Sequence, residues 1–346
     1  MFEKMISHKP PWLVTPPTTK PIAISSRIRL ARNMSDIPFP DRCTDKQREE
    51  VILRVRKAAK KTDLLKNAEI LTLNSLSNVD KQFLVERHLV SPEFAQQTAP
   101  SAVIISNDET CSLMINEEDH IRMQILRSEL NLEEAWEMIN KFDSELEKSL
   151  PYAFSSKYGY LTACPTNVGT GLRASTMLHL PALVHEHKIG SVMSAVGKIG
   201  IAVRGLYGES SDSKGNMFQI SNQITLGQDE KNIVNQLHQI VLRIIDHENK
   251  LRETLIVNKP YQIKNDVGRA YGTLKYAEIL TSEEATNLLS SLLIGADLQV
   301  FDKVNRATVN ELLIDIQPAH LQKMKGKELT AEERDIYRAK IIRNRL

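Results

Sequence analysis

The sequence predicts an α+β domain followed by an all-helical domain, and two observations carry this prediction. Up to about residue 255, short runs rich in β-branched residues alternate with amphipathic helical patterns. From Asn258-Lys259-Pro260 to the C-terminus only helical patterns occur. We therefore predict a mixed domain of residues 1–255 and a helical domain of residues 256–346, a division that suits a chain of 346 residues.

The individual elements are predicted from periodicity and from the turn-forming residues between them. The segment Pro21–Ile24 leads into the run SSRIRLAR, and a helix is predicted from Thr44 or Asp45 to about Lys61. Further strands are predicted at Ala102–Ser106, Cys111–Ile115, Ile121–Leu126, Tyr160–Ala163, Ile201–Val203 and Met217–Ile220. Further helices are predicted at Leu132–Leu150, Arg173–His187, Asp229–Thr254, Leu274–Leu280, Ser282–Leu293, Val309–Ile316 and Thr330–Arg345.

Composition excludes several classes of protein. Lys and Arg number 45 against 43 Asp and Glu, so no overall basic charge points to a nucleic-acid partner. No apolar run approaches the roughly 20 residues that a membrane span needs, and prolines stand where a signal peptide would be apolar. The three cysteines are far apart. We expect a cytoplasmic protein with no membrane partner, no direct nucleic-acid partner and no protein-bound metal.

An acidic turn and a glycine-containing loop are the first candidate sites. Three acids in a row, Glu117 to Asp119, repel one another at a strand turn, so we expect a cation nearby. A solvated acidic turn is the alternative interpretation of the same residues. The run CPTNVGTGLR from Cys164 to Arg173 follows a predicted strand and opens a predicted helix, which is how backbone N–H groups are presented to an anion. It lacks the Gly-Lys-Ser/Thr of a Walker A loop and is weak evidence alone.

A set of arginines lies at predicted strand ends and loops. Arginine makes bidentate contacts with phosphate oxygens and stays charged, so such a set suits a triphosphate. The set comprises Arg27, Arg29, Arg122, Arg173 and Arg204. Sequence spacing alone does not show that these side chains converge.

Five segments in order resemble the phosphagen (guanidino) kinase family. They are SSRIR, NEEDHIR, CPTNVGTGLR, the run from Arg204 to Glu209, and FQISNQITLG, over roughly residues 20–255. The resemblance implies an antiparallel β-sheet flanked by helices, as in the catalytic domains of creatine and arginine kinases and related to that of glutamine synthetase. It also implies an ATP-dependent phosphotransferase, with Mg²⁺ on the nucleotide and no tightly bound cofactor.

Two departures from the metabolic kinases of this family point to protein substrates. Those kinases have a helical domain before SSRxR, whereas 24 residues precede it here, and a helical region of residues 256–346 follows the catalytic part. This arrangement resembles the bacterial McsB-type protein-arginine kinases. Without the N-terminal domain that helps to enclose a small substrate, the site should be open to a protein chain.

The resemblance assigns roles residue by residue. Arg27, Arg29, Arg122, Arg173 and Arg204 match the residues that bind the ATP phosphates, and His88 matches a nucleotide-contacting histidine more loosely. Glu118 matches the catalytic glutamate, Glu209 the second guanidinium-binding glutamate, and Cys164 the reactive cysteine of the family. A surface histidine at His88 and a packed strand-end cysteine at Cys164 remain the alternatives.

The C-terminal tail carries a further predicted site. The run RDIYRA, with Arg334, Asp335 and Arg338, resembles the phosphoarginine-binding RDxxRA element of McsB-type kinases and implies an allosteric site. A solvated helix, in which acids neutralise the arginines, is the alternative. The same resemblance implies a heat-shock repressor as substrate, a zinc-containing activator protein, a Clp ATPase–protease that degrades marked proteins, and a homo-oligomer.

The predicted function is therefore transfer of the γ-phosphate of ATP to arginine side chains of proteins, as part of a stress response. Two alternatives stay open: a kinase for free arginine or another small guanidine, and a kinase-like adaptor without catalysis. The shortened N-terminus disfavours the first. The presence of Glu118 together with all five arginines disfavours the second.

Overall fold

A single large antiparallel sheet organises the molecule. The structure is a computed structural model that describes residues 2–13, 22–205 and 214–346. Its strands are β1 (Ala23–Arg32), β2 (Glu69–Thr72), β3 (Ala102–Ile105), β4 (Cys111–Ile115), β5 (Ile121–Ser128), β6 (Phe154–Ser155), β7 (Gly159–Tyr160), β8 (Leu172–His179), β9 (Ile201–Gly205) and β10 (Met217–Asn222). Eight of them form the sheet in the order β2-β3-β4-β5-β1-β8-β10-β9, and β6 pairs with β7 in a separate hairpin.

Helices flank the sheet and make up the C-terminal region. The helices are α1 (Phe2–Ser7), α2 (Asp45–Ala59), α3 (Asn78–Glu86), α4 (Pro92–Ala95), α5 (Leu132–Glu147), α6 (Pro181–His185), α7 (Ile189–Gly197), α8 (Glu230–Asn258), α9 (Pro260–Tyr276), α10 (Ser282–Asp297), α11 (Arg306–Asp315), α12 (Pro318–Lys325) and α13 (Ala331–Arg345). Within the described part of the chain, none of these helices has the length and apolar character that crossing a bilayer requires.

One face of the sheet packs on the main hydrophobic core. Alternate residues of each strand point to opposite faces, so Ile28 and Leu30 of β1 lie on the same side as Met123 and Ile125 of β5. These side chains are buried in one cluster with residues of α2, α5 and α8, such as Phe142. This face is therefore closed to ligands.

Among the described residues, the opposite face is covered mainly over β3 and β4. Val103, Ile105 and Met114 of β3 and β4 pack in a second buried cluster with residues of α3 and α4 and with Ala319 of α12. Glu86, at the end of α3, accepts hydrogen bonds from the backbone N–H groups of Ala319 at 2.8 Å and of the next residue at 3.0 Å. A carboxylate at this position stabilises the start of α12. The part of the face formed by β5, β1, β8, β10 and β9 carries mostly polar side chains, although Leu126 of β5 packs against Trp12, Leu13 and Ile314.

Buried ion pairs join the sheet region to the C-terminal helices. Arg252 of α8 donates to Glu248 at 2.8 Å, to Asp297 of α10 at 3.0 Å and to the backbone oxygen of His179, at the end of β8, at 3.1 Å. Glu248 in turn accepts from two backbone N–H groups at the start of α6. The predicted boundary near residue 256 lies in the last turn of α8, and the division into two domains stays a prediction.

Most predicted elements are confirmed, and one prediction is clearly wrong. Strand β4 has the predicted bounds, and Thr44 and Thr330 cap α2 and α13 as expected. The helix predicted at Arg173–His187 is instead strand β8 followed by the short α6, because β1 and β10 pair with β8 on both sides. The predicted strand at Tyr160–Ala163 shrinks to the two residues of β7. Helices α1, α3, α4, α7 and α12 and strands β2 and β6 were not predicted. The helix predicted at Leu274–Leu280 is instead α9, which runs from Pro260 to Tyr276.

Candidate active site

Five arginines share the mostly polar part of the sheet face. In β1, Arg27 and Arg29 are two residues apart and point to the same side. Arg29 lies directly opposite Arg173 of β8. Arg122 of β5 and Arg204 of β9 point to the same side of the sheet. We call this surface the arginine face and define it by these five residues. The convergence that sequence spacing could not show is present in the fold.

Carboxylates neutralise little of this charge. Arg27 Nη2 donates to Gln219 Oε1 at 2.9 Å, and Arg173 Nη2 donates to Ser221 Oγ at 3.3 Å, so both partners are neutral. Within residues 2–13, 22–205 and 214–346, the side chain of Arg29 makes no hydrogen bond or ion pair, and its buried Nε has no partner. The exception is Arg122, which donates to both oxygens of Glu117 at 2.5 Å.

Burial first, and mutual repulsion second, lower the pKa values of Arg27, Arg29 and Arg173. Burial, then Arg122 and Arg173, lower the pKa of Arg27 to about 10. Burial and the neighbouring guanidinium groups also hold the pKa of Arg29 well below its usual value. The pKa of Arg173 is lowered by burial and then by Arg204 and Arg122. A polyanion on this face would relieve both the repulsion and the missing hydrogen bonds.

The turn after β4 presents one free carboxylate beside the arginine face. Asn116 adopts a positive φ of 61°, and its side-chain Nδ2 donates to the backbone oxygens of Arg48 and Pro100 at 3.0 Å each. His120, at the other end of the turn, accepts from the backbone N–H of Met34 through Nδ1 at 3.1 Å and contacts the backbone oxygen of Pro38 through Nε2 at 2.9 Å. Both ends of the turn are therefore fixed.

The three acids of this turn have different surroundings. Glu117 is buried against Arg122 and accepts from Ser91 Oγ. Asp119 is buried and accepts from Asn33 at 2.6 Å and from the backbone N–H of Ala163 at 2.7 Å; burial raises its pKa. Glu118 is exposed and makes no hydrogen bond or ion pair within the described part of the chain. The expected neighbouring cation is Arg122, and Glu118 is the acid left free.

The glycine-containing loop does not present its backbone N–H groups to an anion, so that prediction is wrong. Thr170 N donates to Thr225 O, Gly171 N to Asn167 O, and Gly169 N to Tyr160 O. The loop opens strand β8 rather than a helix, and its donors hold the loop together. At Gly169, φ is 111°, and an added Cβ would come within 2.4 Å of Thr225 O. The loop contributes Arg173, not an amide nest.

Cys164 lies beside this site. Its half-buried thiol is 3.0 Å from Thr166 Oγ1, and it is close enough to Arg173 to raise that residue's pKa slightly against the other effects. The hydrogen bond of Ala163 to Asp119 links the start of this loop to the turn that carries Glu118. A catalytic role for Cys164 stays a prediction.

His88 lies at the edge of the arginine face. Its φ is 61°, its ring centroid is 5.0 Å from that of Trp12, and its backbone oxygen accepts from Gln124 of β5 at 2.6 Å. Burial, then the nearby Arg27, lower its pKa to about 4, so the ring is neutral at pH 7. His88 therefore lies near Arg27, and its contact with the nucleotide stays a prediction.

Two further predicted sites are Glu209 and the C-terminal tail. Glu209 lies outside the described residues, so its role as second guanidinium ligand stays a prediction. In the tail, Arg338 is 1% exposed and donates to the backbone oxygens of Ile316 and Leu280 at 2.9 and 2.8 Å, and it pairs with Asp335. Arg334 Nη1 donates to the backbone oxygen of Leu329 at 2.7 Å. The phosphate-clamping role of this pair stays a prediction.

Sequence reasoning missed three residues that shape the site. Asn33 joins the Glu118 turn to the rest of the site through Asp119, through its Oδ1 contact with His120 N at 2.8 Å, and through Leu161 O at 3.2 Å. Gln219 and Ser221 orient two arginines from β10. The alternation of FQISN places Gln219 and Ser221 on one face of β10, and this pattern could have revealed them.

The residues described contain no ready-made metal cage. In the ranges 2–13, 22–205 and 214–346, no group of three or more His, Cys, Asp or Glu side chains is placed to hold a metal ion. Glu118 with an arginine-rich face suits an ion carried by phosphate oxygens better than one held by the protein.

Comparison with known families agrees with this geometry. Residues 50–251 match the family model for the C-terminal catalytic domain of ATP:guanido phosphotransferases. Residues 260–346 match the model for the C-terminal domain of the protein-arginine kinase McsB. Together these matches extend over most of the chain.

Full-length relatives and solved structures are similar to the chain in the same sense. A protein-arginine kinase of Halothermothrix orenii is 44% identical over 346 residues, covering 100% of this chain and 98% of that protein. One from Moorella thermoacetica is 47% identical and covers 94% of each. Among solved structures, the duplicated taurocyamine kinase of Schistosoma mansoni with transition-state analogue components superposes with a TM-score of 0.61 at 27% identity, covering 71% of this chain and 35% of that one. A lombricine kinase gives a TM-score of 0.58 at 26% identity and covers 66% of this chain and 67% of that one.

Proposed function

The chain belongs to the ATP:guanido phosphotransferase family and carries the C-terminal domain of its protein-arginine kinases, and from this premise we propose that it phosphorylates arginine side chains in proteins. The observation that carries the proposal is the arginine face beside a free Glu118. Five guanidinium groups lie next to one exposed carboxylate in a fixed turn, and among the residues that the structure describes only Arg122 of the five is hydrogen-bonded to a carboxylate.

The arginine face binds the phosphates of MgATP. Arg27, Arg29 and Arg173 keep free N–H donors and uncompensated charge, which a triphosphate satisfies. The Mg²⁺ ion enters with the nucleotide as part of the substrate and is held by phosphate and water. Phosphoryl transfer needs positioning and charge neutralisation more than covalent help, and the face supplies both.

Glu118 activates the acceptor. A guanidinium with a pKa above about 12 is a poor nucleophile until it loses a proton from one nitrogen. Glu118 accepts that proton and aligns the nitrogen with the γ-phosphorus. The new N–P bond forms as the bond between the γ-phosphorus and the bridging oxygen of ADP breaks. Glu209 provides the second carboxylate that a planar guanidinium prefers.

The acceptor is an arginine of a protein rather than a free guanidine. The support for this is the similarity to protein-arginine kinases along nearly the whole chain. The experiment is mass spectrometry of a basic protein incubated with the chain and MgATP, at neutral or basic pH because the P–N bond is acid-labile. Free arginine, assayed in parallel, is the control. Phosphorylation of free arginine with none on protein arginines would contradict the proposal.

Family resemblance supports a wider role. We propose a cytoplasmic stress-response kinase whose substrates include a heat-shock repressor and misfolded proteins that a Clp ATPase–protease then degrades. A zinc-containing activator protein and self-association into a dimer or larger oligomer belong to the same proposal. The tail site at Arg334, Asp335 and Arg338 binds phosphoarginine and stimulates the kinase. Co-purification from stressed cells, with a Glu118→Gln variant as control, tests the proposed partners.

A further inference from the structure

Strand β10 places two neutral side chains against the arginine face. Gln219 lies opposite Arg204 of β9 and Met177 of β8, and Ser221 lies opposite Ser175. Alternation along the strand puts both side chains on the arginine side, while Phe218 and Ile220 enter the core. Gln219 is therefore among the arginines and not merely near them.

Gln219 holds Arg27 through one uncharged acceptor. Arg27 Nη2 donates to Gln219 Oε1 at 2.9 Å, and the amide contributes no negative charge. The pKa of Arg27, lowered to about 10, records a guanidinium that its surroundings leave uncompensated. Ser221 is likewise an uncharged acceptor: Arg173 Nη2 donates to Ser221 Oγ at 3.3 Å.

Buried arginines elsewhere in the described chain have carboxylate partners. Arg32 pairs with Asp143 at 2.6 Å, Arg87 with Glu109 at 2.6 Å, and Arg252 with Glu248 at 2.8 Å. A carboxylate at position 219 would pair with Arg27 in the same manner. It would add stability to the empty protein and remove charge that the nucleotide uses.

We propose that Gln219 is a positioning residue for ATP: its amide fixes the direction of Arg27 and leaves its charge available for the phosphates. This inference rests on the proposed binding of ATP at the arginine face and names a residue that sets the affinity of that site. It predicts that replacing the amide of Gln219 by a carboxylate stabilises the protein and weakens nucleotide binding.

The decisive variant is Gln219→Glu, which keeps shape and one acceptor oxygen and adds a negative charge. We expect the KM for ATP to rise by about tenfold or more, because a charge-assisted phosphate contact is lost. We expect kcat at saturating ATP to change little. The melting temperature without nucleotide should rise, because the carboxylate relieves repulsion among Arg27, Arg122 and Arg173. Gln239→Glu, the same change at an exposed position of α8, is the matched control. It should alter neither the KM for ATP nor the melting temperature.

Gln219→Met separates orientation from charge. It removes the acceptor at similar volume, so the KM for ATP should rise severalfold with no rise in melting temperature. An unchanged KM in this variant overturns the inference even if Gln219→Glu fails to fold. A loss of both stability and kcat in Gln219→Met, at unchanged KM, makes Gln219 an ordinary packing residue and also overturns it.

Arg27→Ala distinguishes this inference from the proposed function. If Arg27→Ala weakens ATP binding and Gln219→Glu does not, the role of Gln219 is wrong and the site stands. If neither variant changes the KM for ATP or the affinity for ADP measured by calorimetry, the nucleotide binds elsewhere and the proposed site fails with it.

Discussion

Arginines occupy two kinds of surroundings in this molecule, and the contrast separates ligand binding from structure. On the arginine face, Arg27 and Arg173 have neutral partners and the side chain of Arg29 has none within residues 2–13, 22–205 and 214–346. Between the sheet and the C-terminal helices, Arg252 bridges Glu248 and Asp297 and is 4% exposed. Arg27, Arg29 and Arg173 are partly buried, and Arg252 is buried. What differs is whether the fold itself supplies the negative charge.

The acids of the Glu118 turn show the same contrast, and they give the largest expected effect. Glu118→Gln should lower kcat by about 10² to 10⁴, because the amide cannot accept the guanidinium proton. ATP affinity should stay close to that of the unaltered protein. Steady-state kinetics and calorimetry with ADP test both quantities, with Glu137→Gln on the exposed side of α5 as the control. Near-normal turnover would remove Glu118 from its catalytic role.

A structural arginine should behave in the opposite way. Arg252→Ala leaves Glu248 buried without its partner, and breaking such a pair typically costs about 3–5 kcal/mol of unfolding free energy. The folded variant should retain its affinity for ATP. Chemical denaturation and nucleotide titration measure the two effects, and Arg243→Ala, an exposed position of the same helix, is the control. Weakened ATP binding without destabilisation would show that Arg252 serves ligand binding rather than structure.

The arginines of the face should lose function without losing stability. Arg173→Ala and Arg204→Ala should each weaken ATP binding or turnover by at least about tenfold, since each removes a charge-assisted phosphate contact. Because the pKa of Arg173 shows repulsion from its neighbours, Arg173→Ala should leave the melting temperature unchanged or raise it. Arg54→Ala, which removes a surface ion pair with Asp36, is the comparison variant. If ATP binding and turnover persist in both face variants, the phosphates are bound elsewhere.

The tail should give the smallest effect and tests whether the contrast extends to it. Arg338 is buried and paired, so Arg338→Ala should mainly destabilise the protein, whereas the half-buried Arg334 has a side-chain bond only to a backbone oxygen. Arg334→Ala should weaken binding of free phosphoarginine about two- to fivefold, as expected for a partly exposed ionic contact. Titration of phosphoarginine measures it, with Lys340→Ala as the exposed control on α13. Unchanged binding in Arg334→Ala would leave the tail as a structural element.

Sequence reasoning singled out the arginines and took their roles from the family resemblance, but it placed them at strand ends and loops, whereas Arg27 and Arg29 lie inside β1. Local pattern was sufficient for β4 and for the caps of α2 and α13, which depend on neighbouring residues alone. Strand β8 was mistaken for a helix because its identity depends on β1 and β10, which pair with it across the sheet. The partly covered sheet face could not be predicted either. Its cover combines α3 with α12, and Glu86 contacts a residue 233 positions away.

The contact of Glu86 with α12 joins parts of the chain that are synthesised at very different times. Every strand of the sheet and all five arginines of the face have been synthesised by residue 222, but Ala319, which helps to cover Val103, Ile105 and Met114, comes near the end of the chain. A nascent chain therefore carries the complete arginine face while the apolar half of the same surface is still only partly covered. Exposed apolar surface of this kind makes an incompletely synthesised chain prone to aggregation. Synthesis of α12, rather than completion of the sheet, closes the surface and ends that exposure.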